Sequence, residues 1–335
     1  MPHHIDINNL TDEQKEQLII ALQASLSKSK HGKSTLINEI RESKFKKGFA
    51  CPICGSISVV HNGTHNGRQR YLCKDCHKTF GDLTNTPLNR TKFPEKWIPF
   101  VECMLKGYSL RKSAEIVGVS YVTLFYWRHK LLDALTQTEN NIFDGIVEMD
   151  ETYFLQSDKG KKNLKNRKAR KRGGVSKLRG ISRDQVCVLV ARDRTKNTIS
   201  KVSCMGRIKT ERVNELVGSY LSPANILCTD GWRAYKTYAN ERGMEYYALK
   251  DRCVLKGIYH IQNVNSYHSR MKKWLDRFNG VASKYLDNYL TWFKFLDSKG
   301  FEENATNLKA MLVESCLHKV NKSYNDFRLM EFDVA

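Results

Sequence analysis

The sequence runs to 335 residues, 41% hydrophobic and 27% charged, with a net charge of +21. These proportions exclude a disordered chain and leave room for two or three domains. A balance this basic points to polyanionic partners, nucleic acid first.

No run of eighteen apolar residues occurs, so no membrane span is expected. The opening "MPHHIDINNLTDEQ" lacks the apolar stretch of a signal peptide, and a cytoplasmic, reducing setting is expected. In "LTDEQKEQLIIALQASLSK", Thr11 and Gln14 have capping-box spacing, and Leu18, Ile19, Leu22 and Leu26 form a stripe at helical period. Residues 1–45 are therefore expected to be a helical segment.

Ten cysteines in a reducing compartment require something other than disulfides. Cys51 and Cys54 in "CPICG" and Cys73 and Cys76 in "CKDCH" form two pairs, spaced as in a zinc ribbon over residues 46–85. Four thiolates close a tetrahedral shell, so the single Zn²⁺ expected there is structural. Between the pairs, short strands with "NG" turns are expected, and His77 is a possible but unnecessary ligand. The other six cysteines are read as small core residues.

Over residues 90–138 the period is helical. "LRKSAEIVG" offers a short helix with Ala114, Ile116 and Val117 available to pack, Gly118 a turn, and Ser120 the cap of a second helix. This is the layout of a helix-turn-helix. Its recognition helix would present Tyr121, Val122, Thr123 and Arg128 to a major groove. The plainer alternative is a three-helix connector.

From residue 142 the pattern alternates. "IFDGIVEMDETYF", "QVCVLVARDR" and "TISKVSCMG" read as strands, the last two joined by a "TKN" turn. "KTERVNELVGSYL" is an amphipathic helix and "NILCTDG" a buried strand ending at Asp230. "AYKTYANERG" is a second helix, "EYYAL" a fifth strand, and a long helix starts near Asn263. The order β-β-β-α-β-α-β-α predicts an α/β ribonuclease H-like domain over 142–297, a mixed five-stranded sheet with flanking helices. With the ribbon and the helix-turn-helix this makes a multidomain chain. Residues 157–183, with twelve Lys or Arg against one acid, are expected to be a basic insertion between the first two strands. Arg167, Lys168, Arg170, Lys171 and Arg172 would bind DNA with strong salt dependence.

In that fold the first and fourth strands are neighbours, so Asp150 and Asp230 would face each other at their C-terminal ends. Paired carboxylates there suit two Mg²⁺ or Mn²⁺ ions that activate a hydroxyl and stabilise a leaving oxygen. Strand alternation puts Glu148 on the face of Asp150, as an auxiliary candidate, and Glu151 on the other, as a satisfied surface or turn residue. A cap or turn role is the alternative for either aspartate taken alone.

The zinc ribbon, the helix-turn-helix, "MDETYF", "CTDGWRAY" and "HIQNVNSYHSRMKKWLDRFNGVASKYLDNYLTWF" occur in the order found in bacterial insertion-sequence transposases of the DDE type. The chain most resembles the group with an N-terminal zinc ribbon, over roughly residues 45–297. The resemblance implies a DNA transposase that binds element ends and performs metal-dependent cleavage and strand transfer on double-stranded DNA. A homodimer or higher oligomer would hold the two ends. It carries the first two acids to Asp150 and Asp230, and the third position to Asn265, where Glu is frequent but Asn and His also occur.

An amide oxygen can complete a hard-cation shell, though it holds the ion more weakly than a carboxylate. Asn265 and His268 share a helix face, so His268 is read as a phosphate contact or proton partner. An N-cap role for Asn265 stays open. Arg270, Lys272 and Lys273 further along the helix would take phosphates; a solvated face is the alternative. The neutral Asn265 also leaves room for a second reading, a transposase-derived DNA-binding protein that has lost its chemistry. Residues 298–335 are expected to be a tail of mixed helix and loose end.

Overall fold

The computed structural model describes residues 11, 15, 30–46, 48–65, 67–138, 140–161, 163–164, 176, 178–249, 257–302 and 304–334. The stripe expected at Leu18, Ile19, Leu22 and Leu26 lies outside these residues, as do Arg167, Lys168, Arg170, Lys171 and Arg172. Helix α1, Lys30–Lys44, is the first complete element described.

Three antiparallel strands follow: β1 (Val59–His65), β2 (Arg68–Cys73) and β3 (Thr79–Gly81). The two "NG" pairs have different roles. Gly67, at φ 72°, turns β1 into β2, whereas Gly63, at φ 63°, lies where the β1–β2 register shifts. A left-handed glycine accommodates either, and the shift is a bulge rather than a second turn.

Helices α2 (Trp97–Leu105), α3 (Leu110–Val117) and α4 (Tyr121–Leu135) come next. Gly118 adopts φ 68° at the end of α3. The hydroxyl of Ser120 accepts the Thr123 N–H at 3.2 Å and starts α4. Val117 is buried as expected, but Ile116 is 53% exposed and does not pack. Trp97 stacks on Trp127 at 4.5 Å between centroids, which joins α2 to α4.

The larger sheet runs β6-β5-β4-β7-β8. Its strands are β4 (Ile146–Leu155), β5 (Gln185–Asp193), β6 (Thr198–Met205), β7 (Ile226–Thr229) and β8 (Glu245–Ala248). Helices α5 (Thr210–Val217), α6 (Arg233–Glu241) and α7 (Gln262–Asp276) complete the expected order. β4, β5 and β6 are antiparallel, and β7 and β8 run parallel to β4. The "TKN" turn is held by Asp193, whose Oδ1 accepts the N–H groups of Thr195 and Asn197, each at 2.9 Å.

Strand alternation sorts two cores. Val147, Met149, Leu189 and Ala191 face Val213, Val217, Tyr235 and Tyr238 of α5 and α6. Val186, Val188, Val190 and Val202 face Val264, Tyr267, Met271 and Trp274 of α7, and beyond them α8 (Leu286–Lys299). The second core is continuous with Leu124, Trp127 and Leu131 of α4, so the helical part and the sheet share one apolar interior. The aromatic run of α8 is core, with Trp292, Phe293 and Leu296 fully buried.

The C-terminal residues are not a loose end. Helix α9 (Ala305–Cys316) inserts Met311, Leu312 and Cys316 into that interior, and α10 (Tyr324–Leu329) buries Phe327. Lys309 pairs with Glu39 of α1 at 2.8 Å, and Val320 donates to the Asn85 carbonyl at 2.9 Å. Apolar spacing in 305–316 was legible as helix; its burial depended on partners from the other end of the chain. Among the described residues, no helix is long and apolar enough to cross a membrane.

Candidate active site

β4 and β7 pair in parallel with Glu148 opposite Cys228. Two residues further, Asp150 still lies within β4, while Asp230 stands just past the end of β7. Gly231, at φ 90°, turns the chain away from the sheet there, and Asp230 Oδ1 accepts the Trp232 N–H at 2.9 Å. That short turn holds the aspartate at the mouth of the crevice.

Carboxylate oxygens of Asp150, Glu151 and Asp230 all lie within 4.8 Å of one another. The Asp150 side chain is 17% exposed. Burial, and then the charge of Asp230, push its carboxyl up to about 7. Burial and the charge of Asp150 push Glu151 up to about 8. Glu151 is thus no surface or turn residue. It does leave the strand on the face opposite Asp150, as alternation requires, but β7 ends at Thr229 and leaves the flank of β4 open beyond it. Around that open flank the two faces meet.

Asn265 is half-buried in the first turns of α7, and its N–H donates to Ile261 at 3.1 Å. The helix starts at Gln262 with Ile261 as its cap, so Asn265 is not the N-cap. One turn on, His268 is buried with Nδ1 3.7 Å from Asp150 Oδ2. Burial and the nearby Lys272 lower its pKa to about 3, which keeps the ring neutral. Its Nε2 has no hydrogen-bond partner.

Glu148 is fully buried and does not join the acid cluster. Its carboxylate accepts the Val264 N–H at 3.0 Å and the Asn263 amide at 2.7 Å. It also pairs with Arg194, whose other terminal nitrogen donates to the Ile258 carbonyl at 2.7 Å. A carboxylate at the first turn of a helix complements its exposed N–H groups and dipole. Glu148 therefore docks the start of α7 onto β4, and with it the rows carrying Asn265 and His268. The Arg194 partnership gave no signal in the sequence beyond a basic residue after a strand.

The expected DNA contacts divide. Tyr121 is 57% exposed at the start of α4, and Thr123 shares a hydrogen bond with Ser120 at 3.0 Å. Lys272 and Lys273 are exposed on α7. Arg128 is 1% exposed: it donates to the Tyr108 carbonyl at 3.0 Å and lies 4.9 Å from the Trp292 ring, so it cannot reach DNA. The helical period that put it near the groove-facing side also fits a position packed against α8. Arg270 is exposed but already paired with Asp297, which Arg192 also holds.

Cys51, Cys54, Cys73 and Cys76 converge, with Sγ atoms 3.8 Å apart for Cys51 and Cys76 and 3.6 Å for Cys54 and Cys73. Thiolates about 2.3 Å from a tetrahedral ion lie about 3.8 Å apart. Each pair occupies a tight turn ended by a left-handed residue, Gly55 at φ 82° and His77 at φ 54°. The backbone folds back there, with Gly55 donating to Cys51 at 2.9 Å and Cys73 to Lys78 at 3.1 Å. His77 is not part of the cluster.

Residues 142–296 match the ISXO2-like transposase domain. This segment is an insertion-sequence transposase domain. A protein in the transposable element ISH50 of Halobacterium salinarum is 29% identical over 263 residues, 77% of this chain and 88% of its own length. A 48.3 kDa protein of the insertion element ISM1 of Methanobrevibacter smithii is 28% identical over 126 residues, 31% of either chain. A pre-cleavage Mos1 transpososome structure aligns over 64% of this chain and 77% of its own, at 12% identity and a TM-score of 0.24, too low to speak for a shared fold. The transposase domain matched by sequence coincides with the five-stranded sheet, and the acid cluster lies at its open edge.

Proposed function

We propose that this chain is a DNA transposase that binds insertion-sequence ends and performs strand cleavage and strand transfer by in-line phosphoryl displacement. The observation that carries the reading is the meeting of Asp150, within β4, and Asp230, just past the end of the parallel neighbour β7, in a transposase domain. Two divalent ions held there, Mg²⁺ or Mn²⁺, would supply activation of an attacking hydroxyl and charge relief at the leaving oxygen. Asp150 and Asp230 would hold them, with the Asn265 amide oxygen on the facing helix as a neutral donor. The neutral His268, against Asp150, would contact a phosphate or accept a hydrogen bond at Nε2. Lys272 and Lys273 would hold the phosphates of the strand being cut.

The four-cysteine cluster would hold one structural Zn²⁺ in a ribbon over residues 46–85, since its sulfur spacing fits a tetrahedral ion. Helices α3 and α4, within residues 90–138, would bind element ends through Tyr121 and Thr123, and the basic insertion 157–183 would add salt-sensitive affinity for DNA. The catalytic unit would span 142–297, and two copies would pair the two ends. The chain would work in the cytoplasm, where its DNA lies.

The test is cleavage and joining of a labelled duplex carrying the DNA that flanks the gene, with Mg²⁺, Mn²⁺ or EDTA. Metal-dependent nicking at a fixed end, abolished by Asp150→Ala and Asp230→Ala, is the expected result. Specific binding without cleavage in either metal would overturn it in favour of a DNA-binding protein derived from a transposase.

A further inference from the structure

We propose that Glu151 is the third carboxylate of the divalent-cation site, supplied by β4 itself and not by the facing helix. The inference rests on the reading of this crevice as the phosphoryl-transfer site.

The acids of this sheet fall into two kinds. Glu148 and Asp297 are each buried against arginine. Asp150, Glu151 and Asp230 have no Lys or Arg within ion-pair distance among the described residues, although their oxygens lie within 4.8 Å of one another. Carboxylates that close repel strongly unless a cation lies between them. What surrounds them is neutral and buried. On one side is His268, with Nδ1 3.7 Å from Asp150 and Nε2 unpartnered. On the other is Tyr235 of α6, fully buried, its hydroxyl facing Glu151 and with no partner elsewhere among the described residues. A buried hydroxyl whose only neighbour of opposite polarity is a three-acid cluster describes a site suited to a cation.

Charge points the same way. Two divalent ions set against two aspartates and one phosphodiester leave one positive charge over. A carboxylate at the third position removes it, and the amide of Asn265 cannot. Glu151 reaches the cluster because β7 stops at Thr229, so a side chain from the far face of β4 can bend round its open flank. The neutral Asn265 is then compatible with full ion occupancy.

The experiment titrates the full chain, without DNA, with Mn²⁺ and reads free Mn²⁺ by electron paramagnetic resonance. The chains compared are wild type, Glu151→Gln, Asp150→Asn and Asn265→Ala, each also melted in EDTA. Glu151→Gln and Asp150→Asn should each lose at least about tenfold in Mn²⁺ affinity, and Asn265→Ala clearly less. In EDTA, Glu151→Gln should melt no lower than wild type, because a neutral amide is no harder to bury beside Asp150 and Asp230 than an acid. Wild-type affinity in Glu151→Gln alongside loss in Asp150→Asn overturns the proposal and leaves the site reading standing. A lower melting point in EDTA that accounts for the lost affinity also overturns it, making Glu151 a structural residue. If wild type and Asp150→Asn bind Mn²⁺ equally poorly, the reading of the crevice fails and this proposal with it.

Discussion

The backbone N–H of Val264 donates to the buried carboxylate of Glu148 at 3.0 Å, which ties the first turn of α7 to the middle of β4. The two residues are 116 apart in sequence, and through them the strand that carries Asp150 sets the position of the helix that carries Asn265 and His268. Glu148→Gln keeps the shape but removes the charge that Arg194 and the helix start share. Strand cleavage should fall at least about tenfold, since small misplacements of reacting groups are costly. Stability should fall by about 1–3 kcal/mol. End-labelled cleavage and urea unfolding measure the two, and DNA affinity should not change.

Arg128 gives the opposite pattern. It is buried between Tyr108 and Trp292. Arg128→Met should destabilise the chain by about 1–3 kcal/mol through the orphaned Tyr108 carbonyl and lost ring contact. At a temperature where the variant is folded, its affinity for element-end DNA and the salt slope of binding should match wild type. A reduced slope would mean that the guanidinium reaches a phosphate.

His129 links acid sensitivity to the joint between α4 and α8. It lies 3.0 Å from the Asn288 amide, and burial lowers its pKa to about 3. In the unfolded chain a histidine titrates near 6.5. Between those values the unfolded state binds more protons, so its contribution is complete above about 6.5 and is lost as pH falls toward 3. Asp150 and Glu151, raised in the fold, change stability in the opposite sense as pH rises toward 7 and 8. Comparing wild type with His129→Gln cancels them. The stability difference between the two should shrink by up to about 1.4 kcal/mol per pH unit below 6.5, read by urea unfolding in EDTA.

Removal of zinc should act on β1–β3 alone. One zinc per chain is expected by metal analysis. Cys54→Ser should release it and abolish the slow amide exchange of β2 while that of β5 persists, because metal binding supplies much of the folding energy of such small units. Equal loss of protection in both sheets would show that the two parts unfold together.

The order of strands and helices from 146 to 276 could be read from period alone, because alternating and helical apolar patterns decide which face each segment buries. Asp150 and Asp230 could be read as neighbours for the same reason: parallel pairing of β4 with β7 fixes their level. Glu151 could not. Alternation assigns it correctly to the far face, but how far β7 runs alongside β4 depends on the register of their pairing, a tertiary matter. Arg128 was misread because a basic residue on a recognition helix and a buried guanidinium on a packed helix have the same sequence signature. The burial of α9 had no local signal, since its partners lie more than 170 residues earlier.

The return of α9 and α10 to α1 and α4 bears on how the chain is made. Met311, Leu312 and Phe327 close an apolar interior whose other walls are translated first. The helices that would read element ends therefore remain without one side until residue 327 has been synthesised. A ribosome that stalls or terminates after α8 would yield an acid crevice joined to an unfinished reading head.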